Sequence, residues 1–318
     1  MKKKILITGS AGFIGFHLAS KYLERNYTVI GLDNFCKTYN PKLKKIRISI
    51  LKKNKNFIFY KADLDKINII KEKNIDFIIH LAAQAGVRNS LEKPKFYIRE
   101  NIEKTISVFE FAKKRNIKKI FYASSSSVYG NSNIYPSHEK INVNKPLSIY
   151  GLTKICNEHI AYYYNQIENI NSIGFRFFTV YGPYGRPDMS VNIFFKSIIN
   201  NKKIKLFNNG NNFRDYTFIE DIVNSIYLCT LKKNKRFYQI LNIGGKKTIK
   251  IIKLVRLIEK ITNKKAKIIY KPKNKLDPKK SLANNKSIEN YIKFNSNTSI
   301  KEGLYKTYMW IKNNNLLS

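Results

Sequence analysis

The chain has 318 residues, 43% of them hydrophobic and 13% aromatic, which supplies ample core, excludes disorder for the bulk and suggests two lobes of ordinary domain size. Its formal net charge is +39, yet fifty of the sixty basic residues are Lys and ten are Arg. With Asn, Ile, Tyr and Phe also abundant this is the residue set of AT-rich codons, so the charge reads as Lys spread over solvated faces; a nucleic-acid surface would favour clustered Arg with stacking aromatics.

A strand is expected over residues 4–8, a helix over 13–25, then strands over 27–32, 57–60, 77–80, 120–123, 173–178 and 239–243. Runs of Ile, Val, Phe and Leu without polar alternation suit parallel strands covered on both faces. Strand–helix alternation at this spacing predicts an α/β fold with a doubly wound parallel sheet of the Rossmann type. Gly182, Pro183, Gly185 and Pro187 break the pattern, and a second irregular region is expected over 264–286, rich in Lys with two prolines. These late pieces are assigned to a smaller α/β lobe. The expected division is a cofactor domain of residues 1–178 plus 217–248 and a substrate lobe of 179–216 plus 249–318.

Nothing in the chain approaches eighteen consecutive apolar residues. Only Ile5-Leu6-Ile7 separates Met1-Lys2-Lys3-Lys4 from Thr8-Gly9, too short a run for a signal peptide. Cys36, Cys156 and Cys229 are odd in number and widely spaced, so they read as free thiols. The expectation is a cytoplasmic chain with no membrane partner, no nucleic-acid partner and no metal.

Gly9-Ser10-Ala11-Gly12-Phe13-Ile14-Gly15 falls between the first strand and the first helix. Gly9 allows a tight turn, Gly12 lets backbone approach a pyrophosphate and Gly15 permits close helix packing, while the helix N-terminus offers N–H groups to the anion. Asp33 ends the second strand, eighteen residues after Gly15. A carboxylate there accepts from ribose hydroxyls and repels a 2′-phosphate, which points to NAD over NADP. Asp63, after the third strand, is a candidate for the adenine amino group; Asn34 and Leu64, beside the two acids, join the cofactor set. His17, inside the helix, reads as packing or solvent-facing.

Tyr150-Gly151-Leu152-Thr153-Lys154 places a phenol and an ammonium four residues apart, on one face of a helix. A phenol with a pKa of about 10 is a poor base at neutral pH, and a neighbouring cation lowers that value. Upstream, Ser124-Ser125-Ser126-Ser127 follows a strand and could share a substrate proton.

On these residues the chain resembles the extended short-chain dehydrogenase/reductase family over nearly its full length, and within it the nucleotide-sugar 4-epimerases that act on UDP-glucuronate. The strings that carry the resemblance are His80-Leu81-Ala82-Ala83-Gln84-Ala85-Gly86-Val87-Arg88, Tyr122 through Gly130, Arg176 through Met189, Arg214 through Asp221 and Asn242-Ile243-Gly244. The resemblance implies that Leu81, Ala82, Ala83, Gln84, Asn101 and Ser124 line the cofactor and that Phe178 touches the nicotinamide region. It makes Tyr150 the base, Lys154 its partner on the nicotinamide ribose, and Ser125 the catalytic hydroxyl with Ser126 as the alternative. Arg214 would hold the UDP diphosphate, and Arg88 and Asp277 join the substrate contacts. A homodimer through two helices is implied too, with Tyr162-Tyr163-Tyr164 offering either its surface or more core.

Related dehydratases and decarboxylases carry an acid before Val-Tyr-Gly, where this chain has Ser126 and Ser127. Simple epimerisation is therefore expected: C4 oxidation, turning of the 4-keto sugar and hydride return to its other face, with NAD bound tightly and regenerated. Oxidising C4 of a uronate makes a β-keto acid prone to lose CO2, so its carboxylate must be gripped. Arg186, a planar bidentate donor, and Thr179 are the candidates; UDP-galactose epimerases tend to have Asn at the position of Thr179. The alternatives are UDP-glucose/UDP-galactose 4-epimerisation, another nucleotide-sugar dehydratase or decarboxylase, or a non-enzymatic binding member of the fold. The segments Phe35–Asn40, Leu276-Asp277 and Ala283-Asn284 depart from the family pattern.

Overall fold

A computed structural model describes residues 2–233, 237–273, 278–293 and 298–314. Its strands are β1 (Lys4–Thr8), β2 (Thr28–Leu32), β3 (Phe57–Tyr60), β4 (Phe77–His80), β5 (Lys119–Ser125), β6 (Asn171–Phe177), β7 (Thr179–Tyr181), β8 (Lys203–Phe207), β9 (Phe213–Phe218), β10 (Tyr238–Ile243), β11 (Thr248–Lys250) and β12 (Lys267–Lys271). Seven of them form one sheet in the order β10-β6-β5-β4-β1-β2-β3, and the six from β6 to β3 pair in parallel. This is the doubly wound Rossmann arrangement expected from the uninterrupted apolar runs.

Contacts divide the chain into two units. The first comprises residues 1–132, 139–177 and 226–241. Its core packs Leu6, Ile30, Ile78 and Ile120 of the sheet against Val108, Phe109 and Ala112 of the helix Lys104–Lys114. The helical spacing of those three residues turns one face to the sheet, and each side chain so buried, Phe109 for example, is worth roughly 1.5–3 kcal/mol. The chain runs outward from β1 through β2 to β3, then crosses back to β4, so a crevice opens where the strand order reverses. Register sets Thr8 opposite both Leu32 and His80, and the loops after β1 and β4 therefore emerge side by side.

The helix Ile149–Glu168 is capped by the Ser148 hydroxyl, which accepts from the Gly151 N–H at 3.0 Å, and it stops where Asn169 turns left-handed at φ 53°. Its inner stripe includes Gly151, Lys154, Ile155, Glu158, Ala161 and Asn165. Three of those six are polar or charged, which a purely structural stripe would not carry. Tyr164 is core, whereas Tyr162 and Tyr163 are exposed.

The second unit comprises residues 133–138, 178–225 and 242–318. It holds a three-stranded sheet, β11-β9-β7, and a parallel pair, β12-β8. Two expectations are corrected. The stretch 264–286 is not irregular throughout, because Lys267–Lys271 pairs residue for residue with β8. Its ends are exposed and its middle only half-buried, so it lacks the apolar run that marks a covered strand. The strand expected over 173–178 ends at Phe177, and Thr179 begins a separate strand in another sheet. Among the described residues no helix is long and apolar enough to cross a membrane, and no group of His, Cys, Asp and Glu could hold a metal ion.

Candidate active site

The glycine loop has the geometry its spacing predicts. Gly9 sits at φ +74°, and a Cβ there would lie 2.7 Å from the Ala82 nitrogen, so the loops after β1 and β4 approach backbone to backbone. A Cβ on Gly15 would lie 2.2 Å from the Gly9 carbonyl oxygen. The helix Phe13–Glu24 starts at Gly12 with no side-chain cap and no acid in its first turn. Its N–H groups and positive dipole end are thus left to an external anion, which fits a dinucleotide pyrophosphate. Phe13 is buried and Ile14 half-buried on that first turn. His17 packs edge-on to Phe13 and Phe16.

Asp33 is 6% exposed. One carboxylate oxygen accepts from the Ala11 N–H at 3.1 Å and the other from the Phe35 N–H at 2.8 Å. Lys44 Nζ stands 3.7 Å away. Burial pulls the Lys44 ammonium down, but Asp33, Cys36 and Tyr39 outweigh that and leave its pKa raised. Arg47, fully buried three residues on, donates to the Ala11 carbonyl and the Tyr39 hydroxyl, each at 2.8 Å. Neither cation stood out in the sequence: Lys42 to Arg47 looked like more Lys-rich surface, and the only available signal was an Arg retained in an Arg-poor chain.

Asp63 binds Lys104 Nζ at 2.7 Å and accepts from Asn34 Nδ2 at 2.8 Å. Burial raises its pKa, yet these donors more than offset that and hold it below the usual carboxylate value. Leu64, next to it, is buried. Leu81, Ala82 and Ala83 are half-buried after β4, while Arg88 is exposed. Asn101 sits in the π-type turn Arg99–Glu103. It clamps Gln84 from both sides, accepting from its N–H at 2.7 Å and donating to its carbonyl at 3.0 Å. It also donates to Thr153 Oγ1 at 3.0 Å, which ties the β4 loop to the Tyr150 helix.

Tyr150 packs edge-on against Tyr97, whose hydroxyl donates to the Ala85 carbonyl at 3.1 Å. One turn along, Lys154 is 2% exposed. Its Nζ lies 5.9 Å from the Tyr150 ring centroid and donates to the Ala123 carbonyl at 2.9 Å. Burial lowers the Lys154 pKa to about 8, opposed by the carboxylate of Glu158. His80 bonds to Thr8 and Thr105, and burial, aided by the Lys154 charge, pushes it down to about 3, so it stays neutral. At the end of β5, Ser124 turns its hydroxyl to Glu158 at 2.5 Å. The Ser125 hydroxyl accepts from the Ser127 N–H and donates to its hydroxyl, both at 3.1 Å, capping the short turn Ser126–Tyr129. Ser126 is half-buried. A Cβ on Gly151 would meet the Ser127 carbonyl at 2.8 Å, so the Tyr150 helix starts directly against this serine turn.

Within the second unit, Thr179 and Arg186 line one cavity with Met189, Ser190, Asn192 and Tyr216. The Arg186 fork grips Asp188 through two bonds, at 3.0 and 2.5 Å. Arg214 donates to the carbonyls of Phe213 and Pro278 at 2.8 and 2.7 Å. Phe178 is buried. Asp277 lies outside the described residues. Asp215, adjacent to Arg214, is fully buried; burial raises its pKa to about 6 although the Ala283 and Gly245 N–H groups donate to it.

Residues 5–244 match the NAD dependent epimerase/dehydratase family, and the chain belongs to that family. It is 46% identical to an uncharacterized protein of Methanocaldococcus jannaschii, over 98% of this chain and 97% of that one. It is 39% identical to the UDP-glucuronate 4-epimerase of Thermodesulfobacterium geofontis, over 97% and 96% of the two chains. Among solved structures it is similar to the UDP-glucuronic acid 4-epimerase from Bacillus cereus in complex with UDP-glucuronic acid and NAD, with a TM-score of 0.91 at 33% identity, covering 98% of this chain and 99% of that one.

Proposed function

We propose that this protein is an isomerase that interconverts UDP-glucuronate and UDP-galacturonate by epimerisation at C4, with NAD as a resident cofactor. Bound NAD supplies a reversible acceptor for the C4 hydrogen and its electron pair. The chain's own residues then have defined tasks. The Gly9–Gly15 loop and the helix behind it hold the pyrophosphate; Asp33, braced by Lys44, takes the adenosine ribose; Asp63 and Asn34 face the adenine. Leu81 to Gln84, Asn101 and Phe178 enclose the remainder.

Tyr150 accepts the proton of the C4 hydroxyl as a phenolate and returns it when the C4 alcohol re-forms. Lys154 makes that phenolate accessible at neutral pH by placing an ammonium beneath the ring. Ser125, with Ser126 as the alternative, holds the C4 oxygen. Arg214 and Arg88 take the nucleotide diphosphate side. Thr179 and Arg186 bind the uronate carboxylate and keep it in the plane of the C4 ketone, where the breaking C–C bond cannot overlap the carbonyl π system and CO2 is retained. We assign the protein to the cytoplasm as a homodimer joined through helices that include Ile149–Glu168, whose Tyr162, Tyr163 and Ile167 are exposed.

The observation that carries this reading is the buried Lys154 ammonium under Tyr150, on a helix that starts against the serine turn of a dinucleotide-type sheet. The test is incubation of purified protein with UDP-glucuronate, without added NAD, followed by anion-exchange separation. A steady mixture with UDP-galacturonate and no pentose product is expected. UDP-xylose or its 4-keto precursor would overturn the assignment of Ser126 and Ser127, and turnover of UDP-galactose alone would move it to the neutral-sugar reaction.

A further inference from the structure

We propose that Glu158 is a positioning residue for the Tyr150–Lys154 base, holding the Lys154 ammonium charged and fixing both flanks of the serine turn. The inference rests on the reading of Tyr150 and Lys154 as base and partner. Tyr150, Lys154 and Glu158 follow one another at four-residue intervals, so they lie on one face of one helix. Glu158 is 5% exposed, and its carboxylate accepts from Ser124 Oγ and, in a bidentate grip, from Arg176 Nε at 2.9 Å and Nη2 at 2.7 Å.

Arg176 in turn stacks its guanidinium 4.9 Å from the centre of the Tyr129 ring. Ser124 precedes the turn Ser126–Tyr129 and Tyr129 closes it. A single carboxylate therefore connects the base helix to both ends of the turn that presents Ser125 and Ser126. If Glu158 served stability alone, a well-packed apolar pair could replace it and Arg176. The third member of the cluster, Lys154, distinguishes it: burial drives this ammonium toward neutrality, and Glu158 is the carboxylate that opposes the drift.

The other titratable groups that face the cluster contribute no negative charge near neutral pH. His80 on β4 stays neutral, the phenols of Tyr122 on β5 and Tyr238 on β10 are raised by burial, and Arg176 on β6 adds a second cation. Without Glu158 the cluster holds two buried cations and no carboxylate bonded to them, and Lys154 gives up its proton at lower pH.

The experiment is the pH profile of kcat for Glu158→Gln on the NAD-loaded enzyme. Glutamine keeps the shape and an acceptor for Ser124 but not the charge. The alkaline limb, where Lys154 loses its proton, is expected to move down by about one pH unit, with KM unchanged and Glu158→Asp restoring most of the shift. Because the glutamine variant leaves the Arg176 guanidinium without its carboxylate and could unfold, Glu158→Gln/Arg176→Met is measured beside it; with both charges gone, its limb should move in the same direction but by less. Independently of activity, the pH at which the Tm lead of Lys154→Met begins to shrink should fall by the same unit in the Glu158→Gln background and by less in the double-variant background. A folded variant with a lower kcat but both limbs at wild-type pH would overturn the proposal and leave Glu158 a structural residue. Failure of the underlying reading gives a different result: Tyr150→Phe or Lys154→Met in the otherwise native chain would retain activity.

Discussion

Lys154→Met makes the cost of the buried ammonium measurable. In the folded chain the ammonium has a pKa of about 8 against its usual 10.5, because burial removes it from water. With each pKa unit worth about 1.4 kcal/mol, carrying that charge below pH 8 costs about 3 kcal/mol of stability. Methionine has nearly the same length and no charge, but it forfeits the bond to the Ala123 carbonyl, worth about 1 kcal/mol. The variant should therefore be more stable than the native chain by about 2 kcal/mol at pH 7, a Tm gain of about 4 °C. Between pH 8 and 10.5 the unfolded chain still holds a proton that the folded chain has released, so the native protein gains stability with rising pH and the methionine lead shrinks there. Paired thermal melts of cofactor-stripped protein from pH 6.5 to 10.5 read this directly, while epimerase activity should be lost at every pH. A methionine variant less stable at pH 7, or a lead that does not change with pH, would refute a desolvated ammonium at this position.

Gly15→Ala pushes a methyl to 2.2 Å from the Gly9 carbonyl oxygen, so the loop must open, and NAD retained through purification should fall at least tenfold by the 260/280 nm absorbance ratio with the fold preserved by circular dichroism. Wild-type occupancy in that variant would mean the loop does not carry the pyrophosphate. Arg186→Ala should cut kcat/KM for UDP-glucuronate by about a hundredfold, the loss of one bidentate charge-assisted contact, and release some pentose product. Turnover of UDP-galactose, where detectable, should change little; an equal loss on both sugars would show that Arg186 is not reading the carboxylate.

The sheet was legible because its strands are covered on both faces, so each writes a continuous apolar run from Lys4–Thr8 onward. The small strands of the second unit leave no such run. Lys267–Lys271 is a half-exposed strand whose partner lies more than sixty residues away, and Thr179 differs from Phe177 only in which sheet it joins. Both are decided by tertiary pairing. The glycine loop and the Tyr150–Lys154 pair were readable because their chemistry depends on spacing within one element. The Ser124–Glu158–Arg176 network was not, since its members sit on a strand, a helix and another strand and nothing in their local sequence announces a shared carboxylate. Arg186 was legible as a residue type, whereas its grip on Asp188 two positions later was not.

Burial also resolves the charge that composition left ambiguous. Among the described residues, three of the fifty lysines are buried: Lys44 at 5% exposure, Lys104 at 4% and Lys154 at 2%. Random substitution toward Lys tolerates solvated faces and avoids the interior, where an ammonium without an acceptor costs several kcal/mol. Each of the three has an acceptor, and each acceptor belongs to a different part of the proposed site. Lys44 stands beside Asp33, Lys104 binds Asp63, and Lys154 bonds to the end of β5 beneath Tyr150. The two buried arginines repeat the pattern: Arg47 binds the Ala11 carbonyl inside the glycine loop, and Arg176 binds Glu158. A net charge of +39 thus says little about partners, while the five buried cations among the described residues stand beside Asp33, Asp63, the glycine loop and the Tyr150 helix. Drift could add lysines anywhere on the surface, whereas each of these buried positions sets its cation against a named acceptor of the proposed site.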